Sequence, residues 1–157
     1  AVVLASLANG LNQADRAIMP VAVIPMAEEF GWSMMDRGLV VSAFAWGYIV
    51  SQLPSGWAST QVPPFGLLFG AVLSWSACTV LTPAAARMGL RSAMLCRAAM
   101  GLAEGFCLPA AFQFVTLTVP PRFRSRAFSL VLGCGAVGQV VALLVCPSMT
   151  PSETFTV

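Results

Sequence analysis

Between Gly38 and Ala86 the chain carries no charged side chain. A helix that crosses the hydrocarbon of a bilayer needs about 20 apolar residues. This stretch is therefore too long for one crossing and suits two with a turn between them. Pro63-Pro64 supplies the turn, which places spans over residues 38–58 and 66–86. The rest of the composition agrees. Of 157 residues, 58% are hydrophobic and only 9% charged, where a soluble domain carries roughly 25%. A soluble enzyme cannot cover its surface with so few charges. A net charge of +2 offers little to neutralise phosphates, so nucleic acid is not expected as a partner. The absence of histidine removes His-based triads and His-ligated metals, and no cofactor is expected.

Three further apolar runs complete the pattern. Residues 127–147 form one; residues 1–27 form another, interrupted only by Asp15 and Arg16; residues 92–119 form the third, interrupted only by Arg97 and Glu104. The expectation is an all-α membrane protein with five transmembrane helices, over residues 1–27, 38–58, 66–86, 92–119 and 127–147. The links would be Glu28–Arg37, Ser59–Phe65, Arg87–Arg91 and Pro120–Arg126, short enough for an antiparallel bundle. Trp32 and Trp57 fall at span ends, where aromatic belts form. Arginine does not orient the bundle: Arg122, Arg124 and Arg126 on one side balance Arg37, Arg87 and Arg91 on the other. A chain that starts at Ala1 and stops soon after a fifth span reads as a fragment, and its first run is too long and lacks the basic flank of a removable signal peptide. The cysteines, Cys78, Cys96, Cys107, Cys134 and Cys146, have no CxxC spacing and read as small packing residues within spans.

The strongest functional signal is charge inside the spans. An Arg or Asp at a helix centre costs about 2.5–3.5 kcal/mol on insertion scales, and such residues usually face a bundle interior or a wet cavity. On the first span Asn9, Asn12, Gln13 and Arg16 recur at helical spacing and form one polar stripe; Asp15 lies about 100° away and is placed to pack against a neighbouring helix. On the fourth, Arg97, Gly101, Glu104, Gly105 and Leu108 share a face. Arg97 and Glu104 stand about 10.5 Å apart along the axis, too far for a direct pair, so each needs a partner on another helix, a water or a substrate. Guanidinium forks match carboxylate and phosphate oxygens, which makes Arg16 and Arg97 candidate anion-binding residues. Glu104 is the candidate coupling residue, a carboxyl whose protonation can respond to what is bound. The competing reading places these charges in structural ion networks.

Two small-residue patterns point to packing. Ala43, Gly47, Ser51 and Ser55 form a ridge on the second span that allows close helix approach. Tyr48, on another face, is either a cavity-lining hydrogen-bond donor or a buried structural residue. Residues 133–138 read literally as GxGxxG, but the run carrying them is apolar and of helical length, with no strand and no βαβ unit; Cys134, Gly138 and Ala142 make a second ridge.

Several segments together resemble the first half of a Major Facilitator Superfamily transporter, nearest to its anion:cation symporter branch of plant plastid anion (phosphate) transporters, vesicular glutamate transporters and sialin. They are DRAIMPVAVIPMAEEFGWS (15–33), GLVVSAFAWGYIVSQLPSGW (38–57), WSACTVLTPAA (75–85), CRAAMGLAEGFCLPA (96–110) and PPRFRSRAFSLVLG (120–133). The resemblance implies twelve helices in two halves, a substrate site at mid-membrane between them, and a first helix that starts on the cytosolic side. It makes this chain an incomplete six-helix half-bundle, lacking the sixth helix and the second half. Arg16, Arg97 and Glu104 match by position the family residues associated with anion binding and proton coupling. Two sites depart from the family pattern: Thr60, Phe65 and Gly66 stand where the loop between helices two and three usually carries an Asp and a basic pair, and Phe123 stands where an acid is usual.

The resulting expectation is a non-enzymatic secondary transporter fragment, moving a small organic or inorganic anion with H⁺ or Na⁺ across a lipid bilayer, in a plastid envelope or else a plasma membrane. The alternatives are a sugar-acid symporter on the same half-fold and a truncated membrane protein that does not transport. An intramembrane enzyme lacks a nucleophile–base pair or a metal-ligand pattern.

Overall fold

The computed structural model describes residues 2–149, with side chains as far as Cys146. The described residues form long helices and no strand: α1 (Val2–Phe30), α2 (Met34–Gln61), α3 (Pro64–Met88), α4 (Leu90–Gly105), α5 (Cys107–Thr118) and α6 (Arg124–Met149), with a 3₁₀ turn over Pro121–Phe123. α4 and α5 are one rod broken at Phe106, so five rods correspond to the five expected spans. Three of them, Pro64–Met88, Leu90–Thr118 and Pro121–Cys146, are long and apolar enough to cross a membrane. α1 and α2 have the length, but polar residues dilute their hydropathy. Of these, Asn9 and Asn12 on α1 and Ser51 and Ser55 on α2 are buried.

The links are shorter than the sequence suggested. Glu28 and Glu29 continue α1, and Asp36 and Arg37 already belong to α2, leaving Gly31–Ser33 between them. Local capping explains the tight turn. Gly31 takes a left-handed φ of 66°, and the Trp32 N–H reaches the Ala27 carbonyl at 2.9 Å, the wide closing bond of a Schellman motif. Ser33 then caps α2: its hydroxyl accepts from the Asp36 N–H while the Asp36 carboxylate accepts from the Ser33 N–H. α3 begins on Pro64 at a position where the missing N–H costs nothing. Similarly, Arg124 and Arg126 belong to α6 rather than to the link before it.

Two seams organise the bundle. In the first, α2 lies parallel to α4: Gly47 abuts the Ala98 carbonyl, Gly101 the Phe44 carbonyl, and Gly105 the Ser51 side chain. In the second, α1 lies parallel to α6, with Gly138 against the Gly10 carbonyl and Gly135 against Asn9. A β-carbon at any of these glycines would collide with the facing helix, so glycine sets the interhelical distance. Both small-residue ridges are thus packing surfaces, and the GxGxxG run is helical. α3 closes the bundle against α4 and α5 through Trp75, Leu68 and Met100. Large apolar side chains cover the outside of the bundle while a charged one is buried within it. Leu53 is 87% exposed and Val80 78%, whereas Glu104 is 1% exposed; hydrocarbon is the solvent that makes this arrangement reasonable.

Candidate functional site

The seams bring one face of α1 opposite one face of α4. Arg16, midway along α1, directs its guanidinium at Glu104, in the last turn of α4. Arg16 Nε and Glu104 Oε2 are 2.7 Å apart, the one ion pair among the described residues, with the carboxyl side chain fully buried and Arg16 24% exposed. Glu104 therefore finds its partner on another helix. Its second oxygen, Oε1, is buried without a hydrogen-bond partner. The Arg16 guanidinium also lies over two rings of α2, 4.2 Å from the centroid of Tyr48 and 5.4 Å from that of Phe44. The rings themselves stack at 6.2 Å. Aromatic faces attract a cation most when water is excluded, so Phe44 and Tyr48 hold Arg16 in position for the carboxylate.

Arg97, two turns before Glu104, is 7% exposed and has no carboxylate within ion-pair distance. Its terminal nitrogens meet thioether sulfurs, Nη1 to Met100 Sδ at 3.1 Å and Nη2 to Met19 Sδ at 2.6 Å, while its Nε is buried and unpartnered. Sulfur is a weak acceptor. Arg97 is thus a buried cation with little direct compensation. It and Arg16 line the same small cavity of about 40 Å³, closed by Met19, Pro20, Val41 and Phe44. That is room for water rather than for a polyatomic anion. The larger hollows of the bundle, about 460 and 510 Å³, lie between α3 and α4 and between α1 and α6, with no charged side chain in their walls.

The geometry sorts the candidates named from the sequence. Arg16, Arg97 and Glu104 meet around one locus. Asp15 turns away as its 100° offset implied: the Thr79 hydroxyl of α3 approaches its Oδ2 at 3.3 Å. Asn9 ties α1 to α6 by donating to the Val131 carbonyl at 2.9 Å. Tyr48 contributes its ring face to Arg16, and the cavity wall on that side is Phe44. Phe44, Met19 and Met100 were not singled out from the sequence. Only Phe44 carried a signal, its four-residue offset from Tyr48 on one face of α2. No cluster of side chains suited to a metal ion occurs among the described residues, and the cysteines among them are free thiols.

Comparison with known proteins agrees with this architecture. Residues 5–153 match the family model of the Major Facilitator Superfamily. The chain is 40% identical over 134 residues to "Sodium-dependent phosphate transport protein 1, chloroplastic" of Arabidopsis thaliana, covering 85% of this chain and 26% of that protein. It is 38% identical over 150 residues to "Probable anion transporter 6, chloroplastic", covering 96% of this chain and 28% of the relative. To the "Ascorbate transporter, chloroplastic" it is 38% identical over 136 residues, covering 86% and 25%; both are from Arabidopsis thaliana. The chain thus spans about a quarter of the length of these relatives. Their names are those of transporters rather than enzymes. Helical throughout its ordered rods, and matched from residue 5 to residue 153, the chain belongs to the Major Facilitator Superfamily.

Proposed function

We propose that residues 1–157 are part of the N-terminal transmembrane half of a secondary transporter for a small anion, phosphate or a carboxylate, coupled to H⁺ or Na⁺, and that α1 and α2 cross the membrane with the other three rods. Arg16 and Arg97 bind the anion, and Glu104 carries the coupling. The observation that carries this reading is Arg97: a buried guanidinium with no acid partner, sharing a cavity with a second guanidinium. Burying such a cation costs several kcal/mol unless something pairs with it, and an anion would do so once the cavity widens beyond the room for water it has here. The Arg16–Glu104 pair gives the coupling step a physical form. An anion that takes over the Arg16 guanidinium leaves Glu104 without its cation, and the carboxyl then accepts a proton. When the anion leaves, the pair closes and the proton is released. Tyr48 keeps the guanidinium in place during the exchange.

The names of the relatives support an anionic substrate, "phosphate", "anion" and "ascorbate", and one of them is called sodium-dependent. Their shared "chloroplastic" label supports a plastid envelope as the location. A hexuronate-type sugar acid remains the competing substrate on the same residues. The test is uptake into vesicles of phosphate, ascorbate, glutamate and hexuronate by the protein containing this chain, with and without a pH or Na⁺ gradient. Arg97→Gln should abolish gradient-driven uptake of whichever anion is carried. Full uptake by that variant removes Arg97 from the site, and uptake indifferent to both gradients removes the coupling.

A further inference from the structure

The two ends of the bundle differ in charge. The antiparallel order of the rods gathers the start of α1, the α2–α3 link and the α5–α6 link at one end. That end carries Arg122, Arg124 and Arg126 and, among the described residues, no Asp or Glu. The other end carries three acids, Glu28, Glu29 and Asp36, which offset Arg37, Arg87 and Arg91. None of the three arginines of the first end has a carboxylate within ion-pair distance. The Arg122 guanidinium rests over the ring of its neighbour Phe123 at 4.6 Å, and Arg124 Nε donates to the Val119 carbonyl at 3.2 Å. Arg122 and Arg126 are exposed. α6 starts with Arg124 and has no acid in its first turn, so the positive end of its dipole adds to the charge. Large rings surround this end: Trp57 is 69% exposed, Phe65 57% and Phe123 41%. Trp is enriched at headgroup level, and Phe seats at the boundary of headgroups and acyl chains.

We propose that this end of the bundle is an anionic-phospholipid docking face, with Arg122 and Arg126 on the headgroup phosphates and Phe123, Phe65 and Trp57 seated at the interface. A cationic end without a counter-charge among the described residues finds it in the membrane surface. The proposal rests on the membrane setting and is independent of the transport site, because none of its residues lines the Arg16–Arg97 cavity.

The experiment is lipid retention by native mass spectrometry of the protein containing this chain in uncharged detergent, titrated with phosphatidylglycerol or phosphatidylcholine. Each arginine near an anionic surface is worth about fivefold in affinity, so the Arg122→Gln/Arg126→Gln variant should lose about twenty-five-fold of the preference for phosphatidylglycerol. That variant spares Arg124 and its bond to Val119, and circular dichroism checks that its helix content is unchanged. Equal retention of the two lipids by the unaltered chain overturns the proposal. So does a preference that survives the double substitution, or displacement of phosphatidylglycerol by millimolar inorganic phosphate, which would mark a free-anion site instead. Loss of transport in Arg97→Gln with lipid preference intact is the expected pattern if both readings hold.

Discussion

The Arg16–Glu104 pair makes a quantitative demand on stability. Glu104 is fully buried, its Oε2 bonded to Arg16 Nε at 2.7 Å and its Oε1 without a partner. Replacing Arg16 by Gln takes away the only cation within ion-pair distance and leaves the carboxyl in an apolar surround. Breaking a buried pair from one side costs about 3–5 kcal/mol. Arg16 is partly exposed, so water screens some of the attraction, and about 2–3 kcal/mol is the figure to expect. Glu104→Gln leaves Arg16 on its two rings and open to water, and should cost about 1 kcal/mol. The double variant Arg16→Gln/Glu104→Gln strands no charge, and its cost should fall below that of Arg16→Gln alone. The assay is thermal or denaturant unfolding in micelles across the four-member cycle. A coupling energy of about 1–2 kcal/mol is the expected result; additive single effects would refute the account of Glu104 as a carboxyl held by Arg16.

Two further substitutions test the frame around that pair. Gly101→Ala places a methyl against the Phe44 carbonyl; the α2–α4 seam must open, costing about 1–3 kcal/mol. Paired cysteines introduced at exposed positions across the seam would report the larger separation by spin-label distance, and an unchanged distance with unchanged stability would contradict the seam as drawn. Ser33→Ala removes the hydroxyl that accepts from the Asp36 N–H and should cost about 1 kcal/mol, read as a lower unfolding midpoint with no effect on uptake.

Much of the fold was legible because bilayer length and hydrocarbon chemistry leave few options. The uncharged run from Gly38 to Ala86 required two rods, and the two small-residue ridges announced seams that the structure shows. The links were overestimated for a specific reason: Glu28, Glu29, Asp36 and Arg37 are charged and look like loop, yet a helix continues past the apolar region as long as its caps allow, and Gly31 and Ser33 sit closer together than the charges suggest. For the site, burial cost alone picked out Arg16, Arg97 and Glu104. It could not supply the register between α1 and α4, and so could not say that Glu104 meets Arg16 while Arg97 meets only sulfur. Met19 and Met100 were invisible because an apolar side chain on an apolar helix carries no signal, and Tyr48 was noticed over Phe44 because only Tyr48 has a polar atom.

The break at Phe106 raises the question of why the fourth rod is interrupted two residues after its buried acid. Pro109 has no N–H to offer the Gly105 carbonyl, and its ring would crowd that same carbonyl in a continuous helix. The chain responds with a short-range bond from the Phe106 N–H to the Ala103 carbonyl at 3.3 Å and restarts with the Ala110 N–H on the Phe106 carbonyl at 3.2 Å. Proline then sits in the first turn of α5, where it is tolerated. Glu104 thus lies at a helix end instead of a helix middle, and Gly105 can press on Ser51 beside it. Pro109→Ala restores the donor and lets α4 and α5 fuse. Alanine is favoured over proline by about 3 kcal/mol inside a helix, so the fused rod should gain helix stability by hydrogen exchange at residues 105–110. Fusing the rods changes the hydrogen bonding of the last turn of α4, and so the support of Glu104. The coupling energy between Arg16 and Glu104, measured by the same four-member cycle in the Pro109→Ala background, should fall by at least half. If exchange slows at the break while the coupling is unchanged, proline is only a local accommodation of the chain. If both respond, the break at Phe106 is what holds the carboxylate on Arg16.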